Sequence, residues 1–452
     1  MRQLLFDFVG CKSGDLLLTE RSGRRYVQQS FLCCILLVAS LNIQAQPSNY
    51  DDIRMDNEIY HEDIISVKLE KRAVNFSLPV IALNSREQLT LTICDVGRGT
   101  KNLYYTYIHC TYDWIPTTTL NKNEYMDRFT EDYISEYESS VNTIQFYTAY
   151  TLNFPNENMT ITKSGNYILY VYEDDEPILT QRFYVVEQLA PITPLVQQST
   201  NVSTRYTKQE VSFQVGTTKF RINDPSRNLK VAVMQNGRSD NAYISKNPAV
   251  VRGESINYGL PNEITFEAGN EFRIFNIRSL KSAMENVARH ARTEDMNHSV
   301  LQIDKPKTYN VYEEVIDING CYFVANDDRN YSTVMGADFT MVHFSFMGNI
   351  PADMDVYVYG ELTNWTLLPD AKLTYNEYKR TYETALYLRT GYYNFIYIAV
   401  PKSGGAGTTF YTEGNFWQTE NRYTFFAYYQ GDGIYYDRII GYTQFFSFVK
   451  EK

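Results

Sequence analysis

Apolar and polar positions alternate most cleanly between residues 141 and 172. Ile144, Phe146, Tyr150, Leu152 and Phe154 interleave with Gln145, Thr151 and Asn153. A period of two puts successive side chains on opposite faces of a pleated strand. Ser164-Gly165-Asn166 and the run Glu173-Asp-Asp-Glu-Pro177 are turn signals between such runs. The pattern predicts an antiparallel β-domain over 59–187, with further strands at 66–70, 76–83 and 88–94. Residues 123–140 are ambiguous. Met126, Phe129, Tyr133 and Tyr137 recur at helical spacing, yet the β-rich flanks suggest a long acidic loop leading into a strand.

Pro191 and Pro194 and the polar run after them mark a linker over 188–208. Strand-like runs at 210–215, 229–236, 264–267 and 272–277 predict a second β-sandwich over 209–305. Leu280, Met284 and Val287 predict one short helix within 280–289. Runs at 341–346, 355–359, 382–388 and 393–398 predict a third β-domain over 311–452. The fold class expected is therefore all-β, with tandem immunoglobulin-like β-sandwich domains.

At the N-terminus, Arg21, Arg24 and Arg25 precede an apolar run over 31–41 and a small residue, Ala45. A short apolar core between a basic flank and a small-residue exit predicts a cleaved secretory segment over 1–45. The residues before Arg21 exceed the usual basic region, as if translation starts later. Cys33 and Cys34 open the apolar run, whereas a lipidated cysteine belongs at its end. Residues 46–58 are polar and acidic and predict a flexible tail. Beyond residue 45 there is no apolar run long enough for a membrane-spanning helix.

Composition sharpens this. The 39 Tyr and 25 Phe suit pleated surfaces. A formal charge of −11 argues against non-specific nucleic-acid binding. The expected mature part keeps Cys94, Cys110 and Cys321. They read as buried small hydrophobes, with a Cys94–Cys110 bridge as the open alternative.

Chemistry is sparse. His61, His109, His290, His298 and His343 lie in separate segments, with no metal-ligand spacing. No Gly-x-Ser-x-Gly elbow or phosphate-binding loop occurs. Residues 173–176 read as a solvated hairpin tip rather than a calcium site. No catalytic, metal or cofactor-binding residue is expected.

The first domain resembles a known family. The ordered set is Ile-His-Cys (108–110), Asp113-Trp114, Asn-Thr (142–143), Tyr-Thr-x-Tyr (147–150), Leu-x-x-Pro-Asn (152–156), Thr-x-Ser-Gly-Asn-Tyr (162–167) and Arg-Phe-x-Val-Val-Glu (182–187). It resembles the plug proteins of the Bacteroidota type IX secretion system, formerly a domain of unknown function. Glu413-Gly-Asn-Phe-Trp417 and the run 435–442 extend the likeness, which covers about residues 55–452. The resemblance implies a non-enzymatic periplasmic protein that closes the large outer-membrane translocon barrel when idle. The loop residues expected to dock are Trp114, Tyr133, Tyr137 and Asn156.

The third domain is similar to early-set modules of the glycogen-binding type, through Gly360-Glu-Leu-Thr-Asn-Trp365 and Thr390-Gly391-Tyr392. That likeness implies an alternative, a carbohydrate-binding module in which Trp365 stacks on a sugar ring. An indole at such a corner equally packs the sandwich.

Overall fold

A computed structural model describes residues 53–308, 311–328 and 332–448. The expected secretory segment, 1–45, and the start of the expected tail lie outside the described residues. The fold is nearly all β, in several antiparallel sheets.

Two sheets face each other in the first part. One runs Glu58–Ile59, Glu176–Val186, Gly165–Glu173, Tyr104–Cys110 and Asp132–Tyr133, with Val80–Ala82 added in parallel. The other runs Ile64–Lys71, Leu89–Asp95, Thr148–Phe154 and Glu136–Ser139. Leu89, Leu91 and Ile93 alternate inward and meet Tyr105, Tyr107, Leu169 and Phe183. Each of those aromatics and aliphatics is fully buried, so this core supplies much of the local driving force.

Residues 55–58 depart from the expected flexible tail. Arg182 Nε donates to the Met55 carbonyl at 2.9 Å, and its guanidinium pairs with Asp56 at 3.2 Å. The backbone amide of Arg182 donates to the Asn57 side chain, and Glu58–Ile59 joins the sheet. An ordered partner for each polar group holds what composition alone reads as loose.

Residues 122–140 also resolve differently from one helix. A single turn, Lys122–Tyr125, gives way to short strands at Met126–Arg128, Asp132–Tyr133 and Glu136–Ser139. Met126 is buried, whereas Phe129, Tyr133 and Tyr137 are exposed. The helical spacing thus serves no common buried face.

The strand pairings redraw the C-terminal half. Leu229–Gln235 pairs with Arg422–Tyr429, which pairs with Arg438–Phe446. The last two strands therefore close the middle sandwich, with Ile192–Gln198 and Lys208–Gly216 in the opposing sheet. Arg273–Asn276 and Asn297–Leu301, in the range expected for the second domain, pair instead with strands of 322–401, and Val287–Arg292 pairs with Asn297–Leu301 at the edge of the same sheet. The third block is thus inserted between residues 267 and 422.

The reason lies in Arg422–Tyr429, buried at every position. Tyr423, Phe425, Ala427 and Tyr429 fill the middle core, while Phe426 and Tyr428 turn to a second cluster with Tyr184 and Val186. A strand apolar on both faces needs cover on both, and only the seam between the first and middle parts offers it. Tyr184 and Phe426 stack there at 4.2 Å.

The expected helix at 280–289 is a turn followed by a strand. The Asp328 carboxylate accepts from Ser279 Oγ and the Leu280 amide, and Asn286 takes a left-handed φ of 61°. These local bonds compete with helix formation.

Side chains lock the seams. Lys68 Nζ donates to the Tyr322 carbonyl at 2.7 Å and to Glu361 at 3.2 Å. Burial alone would lower the Lys68 pKa, but Glu361 and Glu70 outweigh it and hold it above its ordinary value. Arg389 donates to Tyr147 Oη at 3.2 Å and to the Thr333 carbonyl at 2.6 Å. Arg438 forms a fork with Glu187 at 3.0 and 2.7 Å. Backbone contact is equally close: a Cβ at Gly441 would lie 2.2 Å from the Ala190 carbonyl oxygen. Gly441→Ala is expected to cost about 1–3 kcal/mol by overpacking. A urea titration checks this, and a loss well below that range would mean that the seam gives way easily.

Candidate functional site

On the first sheet, Tyr105 and Tyr107 point into the core, so Tyr104 points the other way. Register places Tyr104 opposite both Tyr133 and Tyr172 on its two neighbouring strands. The rings of Tyr104 and Tyr172 stack at 5.9 Å, and those of Tyr172 and Tyr170 at 5.1 Å. Four tyrosines from three strands thus form a ladder across the outer face. Tyr104 is 42% and Tyr133 60% exposed, and Phe129, nearby in the chain, is also 60% exposed.

Carboxylates surround this ladder. Tyr172 Oη donates to Glu131 at 2.8 Å. Asp132 accepts from Asn158 Nδ2 at 2.8 Å and from the Tyr133 amide at 2.9 Å. The hairpin after Tyr172 carries Glu173, Asp174, Asp175 and Glu176. Asp174 and Asp175 both have positive φ, 48° and 67°, as a tight two-residue turn requires. Burial first, then the bond to Glu131 and the charges of Glu131 and Asp175, pushes the Tyr172 phenol well above its ordinary pKa.

Asn156 supports this face rather than presenting itself. Its Oδ1 accepts from the amides of Asn158 and Met159, and its Nδ2 donates to Tyr105 Oη at 2.9 Å. The turn so formed aims Asn158 at Asp132. Tyr137 lies on the edge of the facing sheet, 53% exposed, with its ring 5.8 Å from Tyr150.

Trp114 sits elsewhere. Its backbone is left-handed, with φ 65°. The Arg182 guanidinium lies 4.3 Å over its ring, and Tyr184 meets it edge-on at 5.4 Å. It lines a cleft of about 660 Å³ where all three blocks meet, and Trp365 lines the same cleft from another side. Trp365 is also left-handed, with φ 55°. Its ring is wedged edge-on between Tyr359 at 5.5 Å and Phe272 at 6.1 Å. Tyr359 Oη donates to the Trp365 carbonyl and to Asp240, both at 2.9 Å. Burial would raise the Asp240 pKa, but Arg238 overrides it and holds the carboxyl below its usual range. Packing contacts therefore engage the indole that the carbohydrate alternative would leave for a sugar.

Residues 49–187 match the family described as Type 9 secretion system plug protein 1st domain. The first domain belongs to the type IX secretion system plug protein family. The whole tyrosine ladder lies within the matched residues. A hypothetical protein from Parabacteroides merdae, known from its crystal structure, is 31% identical to this chain. The match has a TM-score of 0.84 and covers 87% of this chain and 100% of that one. The C-terminal domain of the Streptococcus pyogenes antigen I/II-family protein AspA aligns at 7% identity and a TM-score of 0.14, over 84% of this chain and 98% of that one. Dimeric latent PorU from Porphyromonas gingivalis aligns at 11% and 0.14, over 85% and 34%. Both alignments are too weak to carry an argument. No curated protein matches the chain.

Membership gives the chain a type IX secretion-related role, in a family of non-enzymatic, secretion-associated domains. Among the described residues, no group of three or more His, Cys, Asp or Glu is placed to hold a metal. Cys94, Cys110 and Cys321 are all buried free thiols, so the Cys94–Cys110 bridge does not form. The two cysteines sit on facing sheets, Leu89–Asp95 and Tyr104–Cys110. No helix among the described residues is long and apolar enough to cross a membrane. Sequence reasoning singled out Tyr133 but missed Tyr104, Tyr170 and Tyr172. The alternation of Tyr104 with the core residue Tyr105 was the available signal.

Proposed function

We propose that the chain is a non-enzymatic plug that closes the periplasmic side of the type IX outer-membrane translocon barrel in its idle state. Family membership carries the reading, because the matched residues are those that present the tyrosine ladder. The locked seams support it, since a plug must be a rigid body that does not yield to the chain it excludes. In this reading the secretory segment 1–45 is cleaved and the mature chain resides in the periplasm. Residues 59–187 act as the docking domain, with Tyr133 on the docking face and Asn156 holding it in shape. Trp114, in the cleft between blocks, and Tyr137, on the edge of the facing sheet, lie outside that face. Release follows when cargo or a shuttle protein stabilises a barrel state that the plug does not bind, which is a population shift.

The test is a pull-down with the tagged mature chain from the native organism, or a close relative, read by mass spectrometry. Recovery of a giant outer-membrane barrel is expected. Its absence from gentle detergent extracts would overturn the reading. Retention on an α-glucan column, abolished by Trp365→Ala, would favour the carbohydrate alternative instead.

A further inference from the structure

The plug reading leaves open what chemistry the docking face selects. The ladder offers ring faces and edges rather than aliphatic bulk, and stacking already holds Tyr104 and Tyr172 in place. A partner side chain therefore meets pre-ordered rings and loses little of their entropy. Every charged residue in 129–138 is acidic, namely Glu131, Asp132, Glu136 and Glu138. The same holds for 170–178, through Glu173, Asp174, Asp175 and Glu176. The bond from Tyr172 Oη to Glu131 brings these two segments together beside the rings.

Aromatic faces next to carboxylates favour a cation that is planar, weakly hydrated and able to form forked hydrogen bonds. Arginine fits better than lysine on each count. The chain shows this pairing internally: Arg182 lies over Trp114 while its guanidinium pairs with Asp56.

We infer that the ladder of Tyr104, Tyr133, Tyr170 and Tyr172, with its rim of Glu131, Asp132 and residues 173–176, docks an arginine-bearing segment of a protein partner. The inference rests on the plug reading for the partner's identity but not for its chemistry. Guanidinium groups stack on the rings and fork to the rim carboxylates. Docking weakens as salt rises, because the rim contacts are exposed.

The experiment uses the full mature chain and a fluorescent alternating Arg–Ser decapeptide, with Lys–Ser and Glu–Ser decapeptides for comparison. Binding in the order Arg–Ser, Lys–Ser, Glu–Ser is expected. The double variant Tyr104→Ser/Tyr133→Ser keeps the net charge and is expected to weaken Arg–Ser binding about tenfold. Both residues lie outside the core, and an unchanged melting temperature shows that the fold survives. Asp174→Asn/Asp175→Asn, which asparagine tolerates at left-handed φ, is expected to reduce binding and its salt dependence. Equal affinity for the Arg and Lys peptides, or no change in the tyrosine variant, overturns the inference and leaves only attraction by net charge.

Barrel capture separates the two proposals. Capture that is unaffected by the tyrosine variant keeps the plug reading and sinks the ladder. Arg–Ser binding that depends on the tyrosines, without barrel capture, sinks the plug reading and keeps the ladder.

Discussion

Arg273→Ala is expected to lower the unfolding free energy by about 3–5 kcal/mol, the cost of leaving a buried charge without its partner. Arg273 Nε lies 3.0 Å from Glu413 Oε1, and its Nη1 lies 2.7 Å from Asp304 Oδ1. Its Nη2 donates to the Lys305 carbonyl at 2.7 Å. Glu413 is fully buried, and its Oε1 also accepts from the Tyr397 amide. Burial works against the charge on Arg273, but Glu413 and Asp304 hold its pKa above the ordinary value. The same burial keeps Asp304 above its usual range despite Arg273.

These residues come from the first strand of the inserted block, the chain just after Asn297–Leu301, and the return segment before Arg422. One guanidinium therefore ties the start of the insertion to its end and to the chain just after its third strand. Urea unfolding measures the loss. A change under about 1 kcal/mol would show that Glu413 finds water or a proton instead. The double variant Arg273→Met/Glu413→Leu is expected to recover part of the loss, because it removes the stranded charge rather than exposing it.

Acidification is expected to cost about 3 kcal/mol through one histidine. Burial pushes the His109 pKa down to about 4, against an ordinary 6.5, and the bond to the Ser164 carbonyl offsets this only in part. That carbonyl only accepts, so His109 Nε2 carries the proton at 3.2 Å, and Nδ1 accepts from Thr117 Oγ1 at 2.9 Å. Tyr167, Tyr436 and Tyr125 pack around the ring. Because the folded pKa is depressed, the unfolded chain takes the proton first as pH falls. The stabilisation is complete above about pH 6.5 and is lost as pH drops towards 4.

His109→Gln should remove this step. Carboxylate effects are common to both proteins, so the informative quantity is the difference between their stability curves. Parallel curves from pH 7 to 4 would mean that His109 titrates alike in both states.

The candidate site was half legible from sequence. Tyr133 belongs to the ladder, and Asn156 builds the turn behind it, but Trp114 and Trp365 line a cleft between blocks. Phe129, Tyr133 and Tyr137 share a spacing without sharing a face, because the chain changes strand twice between residues 126 and 139. Spacing reports a common face only while one element continues.

The sequence by itself determined the β class and the first domain's longer strands, since a period of two needs no partner to be recognised. Only the tertiary structure decided where the aromatics of Arg422–Tyr429 go. Arg422–Tyr429 is apolar on both faces, and nothing local says which sheets will cover it. Its register with Leu229–Gln235 and its stacking on Tyr184 settle that the chain returns to the middle sandwich. The ladder arises in the same way. Tyr104, Tyr133 and Tyr172 lie on three strands, and lateral register, a property of pairing rather than of any one segment, brings them into one row.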